Sequence, residues 1–82
     1  MRDGLARIAF GVTGREPVEL RLYDVSGRVV RTLARREFAA GDHEVFWDGC
    51  DDQGRAVPRG VYFYQLRTPS FVSQKKLAMM KR

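Results

Sequence analysis

Apolar and polar residues alternate with a period of two over most of this chain, the pattern of half-buried strands. Ile8, Phe10 and Val12 fall on one side of an extended segment, Ala9 and Gly11 on the other. The stretch Thr13-Gly14-Arg15-Glu16-Pro17 reads as a turn, with Gly and Pro as its punctuation. Val18, Leu20 and Leu22 then alternate with Glu19, Arg21 and Tyr23. Asp24-Val25-Ser26-Gly27 predicts a hairpin turn, in which Asp24 bonds its own backbone and Gly27 takes a positive φ. The next segment, Arg28 to Glu37, breaks the alternation: Val29 and Val30 are adjacent and Leu33 follows at an odd step. A β-bulge, or a strand passing from one sheet to another, accounts for this. A short helix is the competing reading, since Val30, Leu33 and Ala34 fit helical spacing. The β-branched run after a hairpin turn favours a strand.

Ala40-Gly41-Asp42 is a further turn, after which Val45 and Trp47 face one way and Glu44 and Phe46 the other. Trp47 is the largest single core candidate. Residues 48–54 make a polar loop shaped by Asp48, Gly49 and Gly54, and Ala56-Val57 suggests a brief edge strand before Pro58. Gly60 opens a strong strand, with Tyr62, Tyr64 and Leu66 on the core face and Val61, Phe63 and Gln65 outward. Thr68-Pro69-Ser70 turns the chain into a last strand, Phe71 to Met80, with Leu77 and Met79 inward. About seven short antiparallel strands separated by regular turns predict an all-β fold, an immunoglobulin- or fibronectin-III-like sandwich of two facing sheets. Residues 1–82 are expected to form one domain, since a chain this short supports a single core.

Charge adds an asymmetry. Residues 1–52 carry eight Arg against ten acidic residues, a net of −2; residues 53–82 carry seven basic residues and no acid. Such a basic end suits an acidic partner, or serves to keep a sheet edge soluble. The composition, 44% hydrophobic and 30% charged, is that of a folded protein rather than a disordered one. Uncharged stretches such as Gly60 to Leu66 are too short to span a bilayer. The start, Met1-Arg2-Asp3-Gly4, has no apolar signal core. Membrane insertion is not expected, and any export signal would lie outside this segment.

No catalytic constellation emerges. Cys50 is the one cysteine and forms no internal disulfide; it reads as a tolerated loop residue. His43 has no neighbouring nucleophile and reads as inert. Asp48, Asp51 and Asp52 are candidate Ca²⁺ ligands, but Cys50 occupies the alternate place an EF-hand loop gives to an acid, and no terminal Glu follows. They are expected to form turns, and no cofactor or metal is expected. Tyr62, Phe63 and Tyr64 near Arg could stack nucleic-acid bases. Tyr62 and Tyr64 share the core face, so a nucleic-acid partner is not expected.

Three stretches together carry a family resemblance: Val18 to Leu33 with its Leu-Tyr-Asp-Val-Ser-Gly-Arg centre, Val45-Phe46-Trp47-Asp48-Gly49-Cys50-Asp51-Asp52-Gln53-Gly54-Arg55, and Gly60-Val61-Tyr62-Phe63-Tyr64-Gln65-Leu66. In order and spacing they resemble the immunoglobulin-like domain of the flagellar hook-capping (FlgD) type. They resemble still more the C-terminal domains of large exported bacterial proteins, which serve type IX secretion as sorting signals. Lys75-Lys76-Leu77-Ala78-Met79-Met80-Lys81 resembles the basic–apolar final strand of those domains. Cys50 stands where an Arg or polar residue is usual, and the missing Asn-Pro lead-in suggests a trimmed start. The resemblance implies a non-catalytic C-terminal sorting or attachment module of an exported protein, placed in the periplasm, at the cell surface or outside the cell. Its recognition by secretion machinery would fall on Lys75, Lys76, Lys81 and Arg82. The alternative is a structural spacer or cap in which outward Phe46 and Phe63 pack on a neighbouring domain or subunit.

Overall fold

The computed structural model describes residues 6–79. They form β1 (Ala6–Val12), β2 (Glu16–Tyr23), β3 (Val29–Phe38), β4 (Gly41–Trp47), β5 (Gly60–Arg67) and β6 (Val72–Met79). β1 and β4 make a two-stranded antiparallel sheet; the other four make a second, in the order β3-β2-β5-β6. The expectation of about seven strands is corrected to six among the described residues. Ala56, expected in an edge strand, makes a single bridge to Cys50 instead. The loop is too tightly turned, with Gly49 and Gly54 at positive φ, to run straight long enough for a ladder.

The irregular β3 segment is a strand with two register shifts. Leu20 pairs with Ala34 and Arg21 with Thr32, so Leu33 is an extra residue; Leu22 pairs with Arg31 and Tyr23 with Val29, so Val30 is another. Each bulge resets the face that the strand presents. Val30, Leu33 and Ala34 can therefore all pack against the core despite their spacing. The helical reading of those residues fails because β3 is paired along its length with β2.

The sheets close over two groups of side chains. Ile8, Val12, Val18, Leu20, Phe38 and Leu66 form one; Leu22, Trp47, Tyr62 and Met79 form the other, with Ala6 and Leu77 against it. Tyr64 and Leu33 touch both groups. Each buried aliphatic side chain contributes roughly 1.5–3 kcal/mol, and the rows come from the alternation in the sequence. Trp47 is fully buried and meets Tyr62 edge-on at 5.4 Å. Ala6 and Met79, the first and last described residues, both pack into the Trp47 group.

Candidate interaction surface

The loops at the Trp47 end are built from one device used twice. Asp24 Oδ1 accepts the Ser26 N–H (2.9 Å), the Ser26 hydroxyl (2.6 Å) and the Arg28 N–H (3.1 Å). Asp51 Oδ1 accepts the Gln53 N–H (2.9 Å) and the Arg55 N–H (3.0 Å). In both, the Gly N–H returns to the Asp carbonyl and the Asp N–H bonds the Arg carbonyl. Gly27 and Gly54 sit at φ +90° and +82°, where a Cβ would be strained. Asp24-x-x-Gly27-Arg28 and Asp51-x-x-Gly54-Arg55 are thus the same turn. Gly49 (φ +83°) and Gly60 (φ +150°) also need the freedom of glycine.

Arg31 ties the second loop to the sheet. Its Nη1 donates to Asp48 Oδ1 (3.0 Å) and to the Cys50 carbonyl (2.9 Å), and its Nε lies 3.8 Å from Asp52 Oδ1. The Trp47 indole N–H donates to the same Cys50 carbonyl at 2.8 Å. Asp52 completes the junction: its N–H bonds the Val30 carbonyl, and its carboxylate accepts the Thr32 N–H. The three acids weighed as Ca²⁺ ligands are thus used as turn acceptors and as partners of a guanidinium. Among the described residues no group of three or more acidic, His or Cys side chains gathers as a metal site would require.

These carboxylates titrate low. The Ser26 hydroxyl and then the Arg28 N–H hold Asp24 below the usual carboxylate range. The Arg55 N–H does the same for Asp51, against the opposing effect of burial. Burial pushes Asp48 up, but the Cys50 N–H and Arg31 together outweigh it and leave it lowered. A lowered folded-state value means stability that is present above the unfolded pKa and lost as pH falls through the folded one. The urea midpoint is therefore expected to hold between pH 7 and 5 and to fall below about pH 4. A midpoint that rose on acidification would contradict this account.

His43 is half-buried between Phe10 (5.7 Å) and Phe38 (4.9 Å). Its Nε2 lies 2.7 Å from the Ala39 carbonyl, so it closes the tight β3–β4 connection. Tyr62 is buried and Tyr64 half-buried, which dismantles the three-ring stacking platform. The Tyr62 hydroxyl donates to the Pro58 carbonyl, and burial raises its pKa.

The outer face of the four-stranded sheet carries the exposed candidates. Tyr23, Phe63 and Lys76 stand side by side in register, as do Arg21, Gln65 and Gln74, and Glu19, Arg67 and Val72. Glu19 bridges Arg21 (2.9 Å) and Arg35 (3.8 Å). The Tyr23 hydroxyl and then Glu19 raise the pKa of the Arg21 guanidinium, although its buried Nε has no partner. Val61 and Val25 leave apolar surface at the same face, 42% and 74% exposed. An open groove of about 570 Å³ lies at the far end, between Pro17, Pro69 and Val72 and the side chains of Arg35 and Arg67.

The structure separates residues that the sequence reading grouped. Phe46 is 51% exposed and stands opposite Arg7 on the outside of the two-stranded sheet. Phe63 is half-buried on the outside of the other. The two rings point away from each other across the sandwich, so one flat partner cannot meet both. Lys75 and Lys76 also face opposite ways, Lys76 beside Phe63 and Lys75 beside Tyr64. Lys81 and Arg82 lie outside the described residues.

Residues 2–69 match the family described as FlgD Ig-like domain. The chain belongs to this family. Two curated FlgD proteins, the basal-body rod modification proteins of Salmonella typhimurium and Salmonella typhi, are each 45% identical to it over 56 residues. Those matches cover 65% of this chain, which spans about a quarter (24%) of each relative's length. Crystal structures agree with the fold. FlgD from P. aeruginosa superposes with a TM-score of 0.72 at 25% identity, over 90% of this chain and 58% of that one. FlgD from Xanthomonas campestris, described in terms of hook capping in flagellar assembly, gives 0.71 at 27% identity, over 93% and 56%. These FlgD relatives support the hook-cap resemblance. They lend no support to the type IX sorting resemblance.

Proposed function

We propose that this domain is a structural capping or spacer module of a flagellar hook-cap assembly. It packs through the outer face of its four-stranded sheet on a neighbouring domain or subunit. The observation that carries this reading is its membership of the FlgD Ig-like family. The Tyr23–Phe63–Lys76 row, with Val61 beside it, adds apolar surface that the domain's own fold leaves uncovered. Protein interfaces are enriched in Tyr and Phe and depleted of Lys, so the two rings rather than Lys76 carry this contact. On this reading the domain works outside the cell, on the flagellum. The sorting alternative would need Lys75, Lys76, Lys81 and Arg82 to be read as one patch. Lys75 and Lys76 face opposite ways, and no observation favours it.

The test is a chimera in which this chain replaces the matching segment of the Salmonella typhimurium relative. Hook assembly is scored by electron microscopy, and export by the amount of chimera in the medium. Phe63→Thr is expected to leave export intact and to weaken assembly, as loss of an interface anchor worth about 1–2 kcal/mol would. Phe46→Thr is expected to leave both intact. Normal hooks in the Phe63 variant would overturn the proposal.

A further inference from the structure

We infer that the outer edge of β1 receives one extended strand from another polypeptide, laid beside β1 and beneath β6, with apolar side chains turned inward and a carboxylate that meets Lys75. This rests on the edges of the two sheets and stands or falls independently of the hook-cap reading.

Three of the four sheet edges are guarded. The β3 edge is occupied by Asp52, bonded to Val30 and Thr32. β6 carries Lys75 and Lys76 at mid-strand, and β4 carries Asp42, His43 and Glu44 in succession. Charges and covering loops of this kind are how edges avoid pairing with other chains. β1 has neither. Its sequence, Ala-Arg-Ile-Ala-Phe-Gly-Val, holds one charge, and that Arg7 is paired with Glu44 at 2.8 Å. Among the described residues β1 pairs with β4 alone, so the opposite edge of its backbone carries no ladder.

The space beside that edge suits a single strand. Two strands face four, and β6 reaches past β1. Ile8 and Phe10 of β1 share a cleft of about 180 Å³ with Tyr64, Phe71, Ser73 and Lys75. A strand added at the usual spacing of about 4.8 Å would lie in this overhang and turn alternate side chains onto Phe10, Tyr64 and Phe71. Phe71 is 41% exposed, and Lys75 makes no ion pair among the described residues. A second copy cannot supply the strand with its own β1. The dyad of an antiparallel pair stands perpendicular to the sheet, so the copy's four-stranded sheet would fall on the same side and occupy the place of this β6. The occupant is therefore an isolated extended segment that adds a strand through main-chain bonds and alternate side chains.

The probe is the peptide acetyl-Thr-Val-Thr-Val-Thr-Glu-Thr-amide, with a Lys-for-Glu version as its counterpart, titrated into the ¹⁵N-labelled 82-residue chain. Saturable binding is expected, with slowed hydrogen exchange at β1 amides between residues 6 and 12. Lys75→Glu is expected to weaken the Glu peptide about five- to tenfold and to favour the Lys peptide by a similar factor. The exposed position of Lys75 leaves the fold untouched. Three results would each overturn the inference: no slowing at β1 with millimolar peptide, slowing at β3 or β6 instead, or affinities indifferent to the charge at position 75. Self-association of the chain that protects β1 would overturn the single-strand occupant.

Discussion

Trp47→Ala is expected to remove most of the stability of the domain. The ring is fully buried, lies against Tyr62 and donates its indole N–H to the Cys50 carbonyl. Truncating a buried aromatic costs about 3–5 kcal/mol, because the lost contacts are joined by a cavity that the surroundings only partly fill. A domain of this length has a total margin of roughly 4–12 kcal/mol. The loss should be read by circular dichroism in urea, since the variant has no tryptophan. Trp47→Phe separates the terms: it keeps most of the ring and loses the N–H, with an expected cost of about 1–2 kcal/mol. The Cys50 carbonyl keeps Arg31 as a donor. A Trp47→Ala protein that melted with the parent would show that the two sheets are held together elsewhere.

Arg31→Met should give the second-largest effect, about 2 kcal/mol. One guanidinium serves the Asp48 carboxylate and the Cys50 carbonyl at a site where its side chain is only 28% exposed. Methionine fills similar space but donates nothing, so the Asp48 carboxylate keeps only the Cys50 N–H and the Cys50 carbonyl only the Trp47 indole N–H. Arg31→Lys should recover little, since an ammonium lacks the planar fork that reaches two acceptors at once. Combining Arg31→Met with Asp48→Asn in a double-mutant cycle, read as urea midpoints, is expected to show coupling of about 1 kcal/mol. Additive effects would mean that the loop is held by its backbone bonds alone.

The strands were legible because each buries one face, which forces period two onto the sequence. The two β3 bulges were legible as an anomaly, since Val29-Val30 and Leu33 could not share a face without an extra residue. The turn at Asp24 followed from Asp and Gly at set offsets, whereas the loop after Trp47 was read as shaped by Asp48 and Gly49 and its turn is made by Asp51 and Gly54. The identity of the two turns was written in the sequence as a recurring Asp-x-x-Gly-Arg. That Lys75 and Lys76 face apart also follows from period two, and grouping them set neighbourhood in the chain above strand geometry. The opposed directions of Phe46 and Phe63 were not legible in the same way. Both read as outward, and only sheet membership reveals that outward means opposite sides. Arg31 was hidden for a different reason: a charged residue in a strand looks like ordinary solvent-facing surface. Its partners lie 17 and 19 residues away. At Cys50 the role belongs to the carbonyl, which any residue supplies, so the side chain carried no signal.

Ala6 and Met79 enter and leave the sandwich beside the same Trp47 group. A domain whose entry and exit points lie together can be housed as a guest within a loop of a larger host. The host's own strands then remain where they were, and the guest projects from them like a knob on a short double stem. Two connections acting in parallel would then set its orientation and resist twisting better than one tether does.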